Sequence, residues 1–431
     1  MAVFAARVRP GGAQYALEES TQEDVPTFGI VQNWPYRDLP EALDDPAVDR
    51  VFAELLARRR PDLVAVQTLA GLSLGVLDAC RKAGVPVVVH LHDGWWSCPS
   101  GGQRLHPDGT NCLPVDRRRC GDCFARFRAT EGPIEAWSRR AAGVLPAWVP
   151  PDALHRAWNR LPTPARSLVR SVNQAARRPP APPGQADEVS AAISDRAERV
   201  TRALADVELA VSPTRFLAES LAADGVQAAR TAVVSTGVPV PERSPPSPPR
   251  ERALRLLFLG TWVPHKGLAV VADALAGLPP EVASKIDARA HGPVPFDDYR
   301  EDVLGRARGR LVDGGVLAPD AVGAALDAAD VVVVPSIWAE NAPLVALEAR
   351  ARGRVVVASN AGGLPELVGP ETGGSLLPPG DVAAWAEEFR ALAEDRSEVL
   401  RRAEASRGAP PRSVPEWVDE VEDAWASVGR A

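Results

Sequence analysis

VVVVPSIWAENAPLVALEARARGRVVVASNAGGLPELV, residues 331–368, is the stretch on which the architecture turns. Four consecutive valines stop at Pro335-Ser336, and an apolar-periodic segment starts at Asn341. This is the pattern of a buried strand feeding a helix through a short loop. Asn341 is placed to cap that helix, and Pro343 fits its first turn, where a missing N–H removes no hydrogen bond. The periodicity runs to about Arg352, a second apolar strand covers 354–359, and Gly362-Gly363 opens the next turn. Strand, helix, strand is a unit of a parallel α/β sheet, and glycines at a strand's carboxyl end let backbone approach a ligand closely.

Two carboxylates lie in this unit. Glu340 stands just before the helix and Glu348 about two turns inside, roughly 10 Å further along. Side chains on a helix lean towards its N-terminus, so Glu348 points back at the mouth where Glu340 lies, and the two can grip different parts of one elongated ligand. Backbone N–H groups of Asn341 to Leu344 would meet an anionic group between them. For any single Glu the plainer reading is a helix cap or a solvated helix face.

Pro-Ser, Trp338, Glu340, seven residues, Glu348 and then Gly-Gly-x-Pro-Glu resembles the signature of the retaining nucleotide-sugar glycosyltransferases of family 4. The resemblance implies the GT-B fold, which is α/β with two Rossmann-like doubly wound parallel-sheet domains facing a central cleft. It further implies that Glu340 contacts the donor sugar, that Glu348 holds the nucleotide ribose, and that Asn341, Ala342, Pro343 and Leu344 lie along the donor.

At 431 residues the chain has room for two domains with separate cores. No apolar run approaches the ~18 residues of a membrane-spanning helix. The opening MAVFAARVRPGG has a short apolar core and no cleavage site for export, so the expected location is cytoplasmic. A net charge of −7 argues against general nucleic-acid binding. Only three lysines occur, Lys82, Lys266 and Lys285, in a chain rich in Arg. Lys266 beside a phosphate site would be a compact charge that Arg does not reproduce; chance placement is the plainer account.

Strands and helices alternate from the start, with strands at 3–8 and 27–32, a helix at 48–59, a strand at 63–67, a helix at 72–83 and a strand at 87–92. This predicts a parallel sheet covered by helices. A family member opens with a strand, a Gly-rich turn and a helix ahead of the strand at 3–8, so by that comparison the first domain is N-terminally shortened. Gly11-Gly12-Ala13-Gln14 only imitates the turn. His90 and His92 alternate onto one face of their strand, with Asp93 at its end. His-Asp-Gly-Trp resembles the family's His-Asp-Phe-Trp loop, which implies that His92 faces the transferred sugar and leaves His90 to the core. A packed, hydrogen-bonded His is the plainer reading of both.

Cys98, Cys112, Cys120 and Cys123 follow the spacing Cys-x13-Cys-x7-Cys-x2-Cys, with Cys80 apart on a helix. Four cysteines so close in a chain without an export signal point to a thiolate metal knuckle, suited to zinc, more than to disulfides. The expected role is a structural clip on the loop, metal-bound or not, and the resemblance implies no cofactor for catalysis. Composition then shifts: between 124 and 180 ten Arg and no Lys accompany Trp137, Trp148 and Trp158. An insertion packing on its own domain is the first reading, and peripheral contact of 137–178 with an anionic inner membrane face is the second.

Ser212-Pro213-Thr214-Arg215-Phe216 is similar to a Pro-Ser-Arg-Phe-like turn of the family. The first domain is expected over 1–238, including a Cys-rich loop at 94–123 and the insertion at 124–185. A Pro/Ser-rich linker at 239–253 follows, then a donor domain at 254–408 and a last helix within 409–431 that crosses back. A strand at 254–259 runs into Gly260-Thr261-Trp262-Val263-Pro264-His265-Lys266-Gly267. Glycines at both ends of a strand-to-helix loop with a Lys inside are a weak phosphate-cradle pattern. The resemblance strengthens it, because a Gly-x5-Lys-Gly loop at this place carries the diphosphate-binding Lys. Thr261 departs from the Arg common after the first Gly, which shifts charge compensation to Lys266, helix N-termini and His265.

The expected activity is transfer of a sugar from a UDP- or GDP-linked donor to a glycan, lipid or small-molecule acceptor, with His92, Lys266 and Glu340 at the reacting centre. A glycoside hydrolase using Glu340 and Glu348 is disfavoured, because both belong to one loop-helix unit whereas hydrolase carboxylates flank a bond. The other alternative is a catalytically impaired nucleotide-sugar-binding relative acting through a partner, motivated by Thr261 and the shortened start.

Overall fold

The computed structural model describes residues 1–9, 12–33, 43–99, 102–106, 108–121, 123, 162, 165, 168, 183–241 and 253–428. The Trp- and Arg-rich stretch 137–178, apart from 162, 165 and 168, and most of the Pro/Ser-rich linker lie outside the described residues.

The first half holds two sheets. β1 (Val3–Arg7) pairs in parallel with β3 (Val25–Val31), and β2 (Leu17–Gln22) runs antiparallel along the other side of β3. Sequence patterning did not mark β2, whose LEESTQ is largely exposed and poor in β-branched residues. It forms because Glu23 and Asp24 both take positive φ, 47° and 64°, in a tight turn whose twist suits the hairpin. β4 (Val64–Val66), β5 (Val87–His90), β6 (Leu209–Ser212) and β7 (Thr231–Val233) form a parallel sheet in that order. One core joins the two sheets, with Ile30 of β3, Val66 of β4 and Val89 of β5 packed with Phe52 and Leu56 of the helix Pro46–Arg59. That helix starts two residues ahead of the expected 48, because the Asp45 carboxylate accepts from the Ala47 and Val48 N–H groups and Pro46 occupies its first turn.

The second half is one parallel six-stranded sheet built from β8 (Leu254–Leu259), β9 (Ile286–His291), β10 (Val312–Asp313), β11 (Val331–Val334), β12 (Val355–Ser359) and β13 (Ser375–Leu377), in the order β10-β9-β8-β11-β12-β13. The unbroken valine runs are explained by burial on both faces. Leu256, Val331, Val333, Val355 and Val357 enter one core with Trp385 and Phe389, while Leu257, Val332, Val334 and Val356 enter another with Ala346 and Leu347.

The last helix, Val414–Ala426, is opened by a reciprocal Ser413/Glu416 cap and returns to the first half. Its Val421, Trp417 and Trp425 pack with Val88, Leu209, Val211 and Val234. Among the described residues, no helix is long and apolar enough to cross a membrane.

Candidate functional site

Parallel pairing delivers the loops after β8, β11 and β12 to one end of the second sheet, and glycines let them touch. Gly267, at φ 74°, lies so close to the Pro335 carbonyl that a Cβ would stand 1.8 Å from its oxygen. A Cβ on Gly362, at φ 62°, would stand 2.1 Å from the Glu340 carbonyl oxygen. The close approach expected at these glycines is therefore made by the Glu340 loop itself. Ile337 N–H donates to the His265 carbonyl at 3.0 Å and Gly363 N–H to the Glu340 carbonyl at 2.7 Å, which completes the knit.

Within that frame the structure brings Lys266 and Glu340 together. Lys266 Nζ donates to Glu340 Oε1 at 2.6 Å, and Ser336 Oγ donates to the same oxygen at 2.6 Å. Glu340 is buried, and its Oε2 has no partner among the described residues. Lys266 also lies 5.3 Å from the Trp338 ring centre, and the His265 ring stacks obliquely on Trp338 at 4.8 Å. Burial, and then the neighbouring Lys266, lower the pKa of His265, so this residue enters the site as a neutral ring rather than as a second cation.

The helix after this loop begins at Leu344, later than expected, with Pro343 at its cap position. Asn341 is not the cap. Its side chain instead reaches the other domain, accepting from Thr214 Oγ1 at 2.6 Å and donating to the His92 carbonyl at 2.7 Å. The later start puts Glu348 just over one turn inside the helix. The N–H groups of Asn341, Ala342 and Leu344 have no acceptor among the described residues, so the expected row of free donors is present. Glu348 is half-buried, and burial raises its pKa, opposed by Arg352.

β5 ends at His90, so His92 lies past the strand end. The two rings nonetheless share a face, stacked at 6.0 Å. His92 Nε2 donates to Gln67 Oε1 at 2.8 Å, which orients the ring, and desolvation of the ring lowers its pKa although the residue as a whole is exposed. His90 accepts at Nε2 from Trp425 Nε1 at 3.0 Å, and burial followed by His92 pushes its pKa down to about 4. Both rings are therefore neutral near pH 7.

Further contacts join the two halves. The Glu366 carboxylate accepts from the N–H groups of Arg215 at 2.8 Å and Phe216 at 2.6 Å, the first turn of the helix Arg215–Ala223. Asn111, on the Cys-rich loop, donates to the Ile337 carbonyl at 3.2 Å and accepts from Ala339 N–H at 3.1 Å. Glu366 and Thr214 stand in stretches the sequence singled out. Ser336 stands in the Pro-Ser pair of the signature, whereas Gln67, Asn111 and Trp425 carried no signal, because their roles depend on contacts that spacing does not encode.

Gly260 and Thr261 line the start of the loop after β8, where Trp262 beside them is fully buried and its N–H donates to the Pro293 carbonyl at 2.9 Å. A cavity of about 580 Å³ lies elsewhere, lined by Asp62, Asp78, Asp206 and Glu208 at the opposite end of the first parallel sheet. Open α/β sheets bind ligands beyond the carboxyl ends of their strands, which makes the Lys266–Glu340 crevice the candidate site.

The Cys-rich loop is only partly the expected knuckle. None of the five cysteines is in a disulfide. Asp116 N–H donates to Cys112 Sγ at 3.2 Å, Cys120 Sγ donates to the Asp116 carbonyl at 3.5 Å, and His106 Nδ1 lies 3.2 Å from Cys123 Sγ. Among the described residues no group of three or more His, Cys, Asp or Glu side chains is placed to hold a metal ion. The loop is held by these sulfur hydrogen bonds and by Cys120 and Val115 packing on Ile193.

Comparison with known families matches residues 4–145 to Glycosyltransferase Family 4 and residues 253–395 to Glycosyl transferases group 1. A phosphatidyl-myo-inositol mannosyltransferase of Mycobacterium leprae is 32% identical over 168 residues, covering 38% of this chain and 42% of that relative. A D-inositol 3-phosphate glycosyltransferase of Salinispora tropica is 30% identical over 249 residues, or 51% of each chain. The matched stretches thus span about half of these relatives or less. Among solved structures, Anabaena HepE in complex with UDP superposes with a TM-score of 0.59 at 17% identity over 99% of this chain and all of that one. Sucrose-phosphate synthase from Thermosynechococcus elongatus does so with 0.59 at 15% identity, over 98% and 88%. At such identities the likeness is one of fold.

Proposed function

This chain belongs to the family 4 glycosyltransferases of GT-B fold, and from that premise we propose that it transfers a hexosyl group from a nucleoside diphosphate sugar, with retention of anomeric configuration, to a hydroxyl acceptor. The observation that carries the reading is the divided Glu340 carboxylate. One oxygen is tied to Lys266 and Ser336, and the other is open to accept from a sugar hydroxyl. An ammonium has three N–H donors, so Lys266 can keep Glu340 in place and still meet the departing diphosphate. The free N–H groups of Asn341, Ala342 and Leu344 add dipolar support for that anion. Glu348, further along the helix, accepts from the ribose hydroxyls. His92, neutral and oriented by Gln67, lines the sugar from the opposite domain.

The chemistry asks for positioning and charge stabilisation more than for proton transfer, and closure of the crevice excludes water. Further support for the donor class comes from HepE, described with UDP and with UDP-glucose. Five cysteines outside any disulfide are in keeping with a reducing, cytoplasmic setting. A hydrolytic role for the Glu340 and Glu348 pair is disfavoured by the ion pair that occupies Glu340.

A thermal-shift panel of UDP, GDP, ADP and their sugar conjugates tests the proposal, since a ligand that binds only the native state raises its unfolding temperature. Glu348→Ala should abolish the shift given by the nucleotide, while Glu340→Ala should remove only the extra shift given by the sugar. Equal responses of the two variants count against these roles, and proton NMR of the product anomer decides retention.

A further inference from the structure

The loop that carries Glu340 is gripped from the opposite domain on both sides of the acid. After it, Asn341 is held by Thr214 and by the His92 carbonyl. Before it, the Asn111 side chain spans the Ile337 carbonyl and the Ala339 N–H, the two backbone groups that flank Trp338. An amide offers one acceptor and two donors, and Asn111 uses both kinds against one short stretch of backbone.

Asn111 is itself firmly based. It pairs with Leu105 in a narrow antiparallel bridge, closed by His106 N–H to the Thr110 carbonyl at 2.8 Å and by Cys112 N–H to the Arg104 carbonyl at 2.8 Å. Arg104 then anchors the bridge through an ion pair with Asp224 at 2.6 Å, with the two side chains 5% and 3% exposed. Asp224 also accepts from Val115 N–H at 2.8 Å. Asp224 ends the helix Arg215–Ala223, whose first turn is capped by Glu366 of the other domain. The two domains are thus joined around a closed circuit: Glu366 to that helix, the helix to the Cys-rich loop, and Asn111 back to the Glu340 loop.

We propose that Asn111 is a positioning residue for sugar engagement, setting the Glu340 carboxylate from across the crevice, so that the Cys-rich loop completes the donor site when the domains close. This rests on the donor-site reading above. Asn111 is exposed, so its amide is not needed to fill a core. Its two bonds run to residues 226 and 228 positions away, so they exist only with the domains together.

The test compares the wild type with Asn111→Ala and Asn111→Asp, titrating each with UDP, GDP and their glucose and mannose conjugates. In Asn111→Ala the nucleotide affinity should be unchanged and the unliganded unfolding temperature should fall only slightly, while the added affinity due to the sugar should fall on the order of tenfold, as for two lost neutral hydrogen bonds. Asn111→Asp still accepts from Ala339 N–H and should fall between. A residue that merely supports its loop would lower nucleotide and conjugate affinity by one common factor. That result, or no change in either affinity, overturns the proposal. If the wild type itself binds no nucleotide, the donor reading fails first and takes this proposal with it, and the wild-type titration alone reveals it.

Discussion

Lys266 Nζ lies 2.6 Å from Glu340 Oε1, and this contact ties the loop after β8 to the loop after β11. The exposures are unequal, 28% for the Lys side chain and 7% for the Glu. The carboxylate is thus held in a nearly dry place by a cation that still reaches the crevice, where the low local dielectric strengthens the attraction. Lys266→Ala removes the charge facing the diphosphate and leaves Glu340 with Ser336 as its remaining partner. Transfer should fall about 10²–10³-fold. Lys266→Arg restores charge but not the compact head, so recovery should be partial. Steady-state rates with the donor identified by the binding panel decide the matter, and a Lys266→Ala rate within tenfold of wild type removes Lys266 from the reacting centre.

Glu348 should trade stability for binding. Its folded-state pKa is raised by burial, with Arg352 opposing. Below the ordinary carboxylate range both folded and unfolded chains hold the proton. As pH rises, the unfolded chain releases it first, so stability falls through the window up to the raised value and stays lower above it. Glu348→Gln should therefore raise the unfolding temperature at pH 7 and leave it unchanged near pH 4. The same variant should lose nucleotide affinity. Wild-type affinity should weaken as pH falls through the raised value, because ribose hydroxyls need an ionised acceptor. Unfolding scans and titrations across pH 4 to 8 measure both. A destabilised Glu348→Gln at pH 7 contradicts this account.

His90 and Trp425 give the return of the last helix a pH dependence. His90 accepts from Trp425 Nε1, and its pKa sits at about 4 against an ordinary 6.5. The neutral ring is the folded form, so its contribution is complete above pH 6.5 and is lost as pH falls towards 4, about 3 kcal/mol in all. Desolvation of the His92 and His265 rings works in the same direction. His90→Gln keeps an acceptor and cannot titrate, so its stability curve should be flatter between pH 6.5 and 4 than that of the wild type. Trp425→Phe leaves the buried His90 nitrogen without its donor and should cost about 1–3 kcal/mol at pH 7. Chemical denaturation at several pH values checks both, and parallel curves for His90→Gln and wild type would dismiss the role.

Legibility in the sequence followed burial. The valine strands around residue 331 could be read because both faces of the second sheet are covered, which leaves nothing polar in the run. β2 could not, since an exposed edge strand has no apolar face to show. The Lys266 and Glu340 loops were marked by glycine and proline, which local geometry demands. Asn341 was misread as a cap, because its actual partners lie 127 and 249 positions away and no local pattern announces them. The Cys spacing suggested a structural clip, metal-bound or not, and the described loop adds to it backbone bonds to sulfur and a buried ion pair that spacing does not contain.

That ion pair yields the last prediction. Arg104 and Asp224 are nearly sealed from water, and Arg104 also donates to Ser220 Oγ at 2.6 Å. Removing one partner strands the other charge, which costs about 3–5 kcal/mol, whereas replacing both with apolar residues of similar volume is far milder. Arg104→Ala should therefore release the Cys-rich loop, while Arg104→Met combined with Asp224→Leu should hold it in place. The cysteines report the difference. Burial pushes Cys120 up to about 12, so in the folded protein it carries little thiolate and should react slowly with an aromatic disulfide, whereas half-exposed Cys98 reacts first. In Arg104→Ala the Cys112 and Cys120 thiols should react at rates approaching that of Cys98, and in the double variant they should stay protected. Unchanged thiol kinetics in Arg104→Ala would mean that the loop is held by something other than this pair.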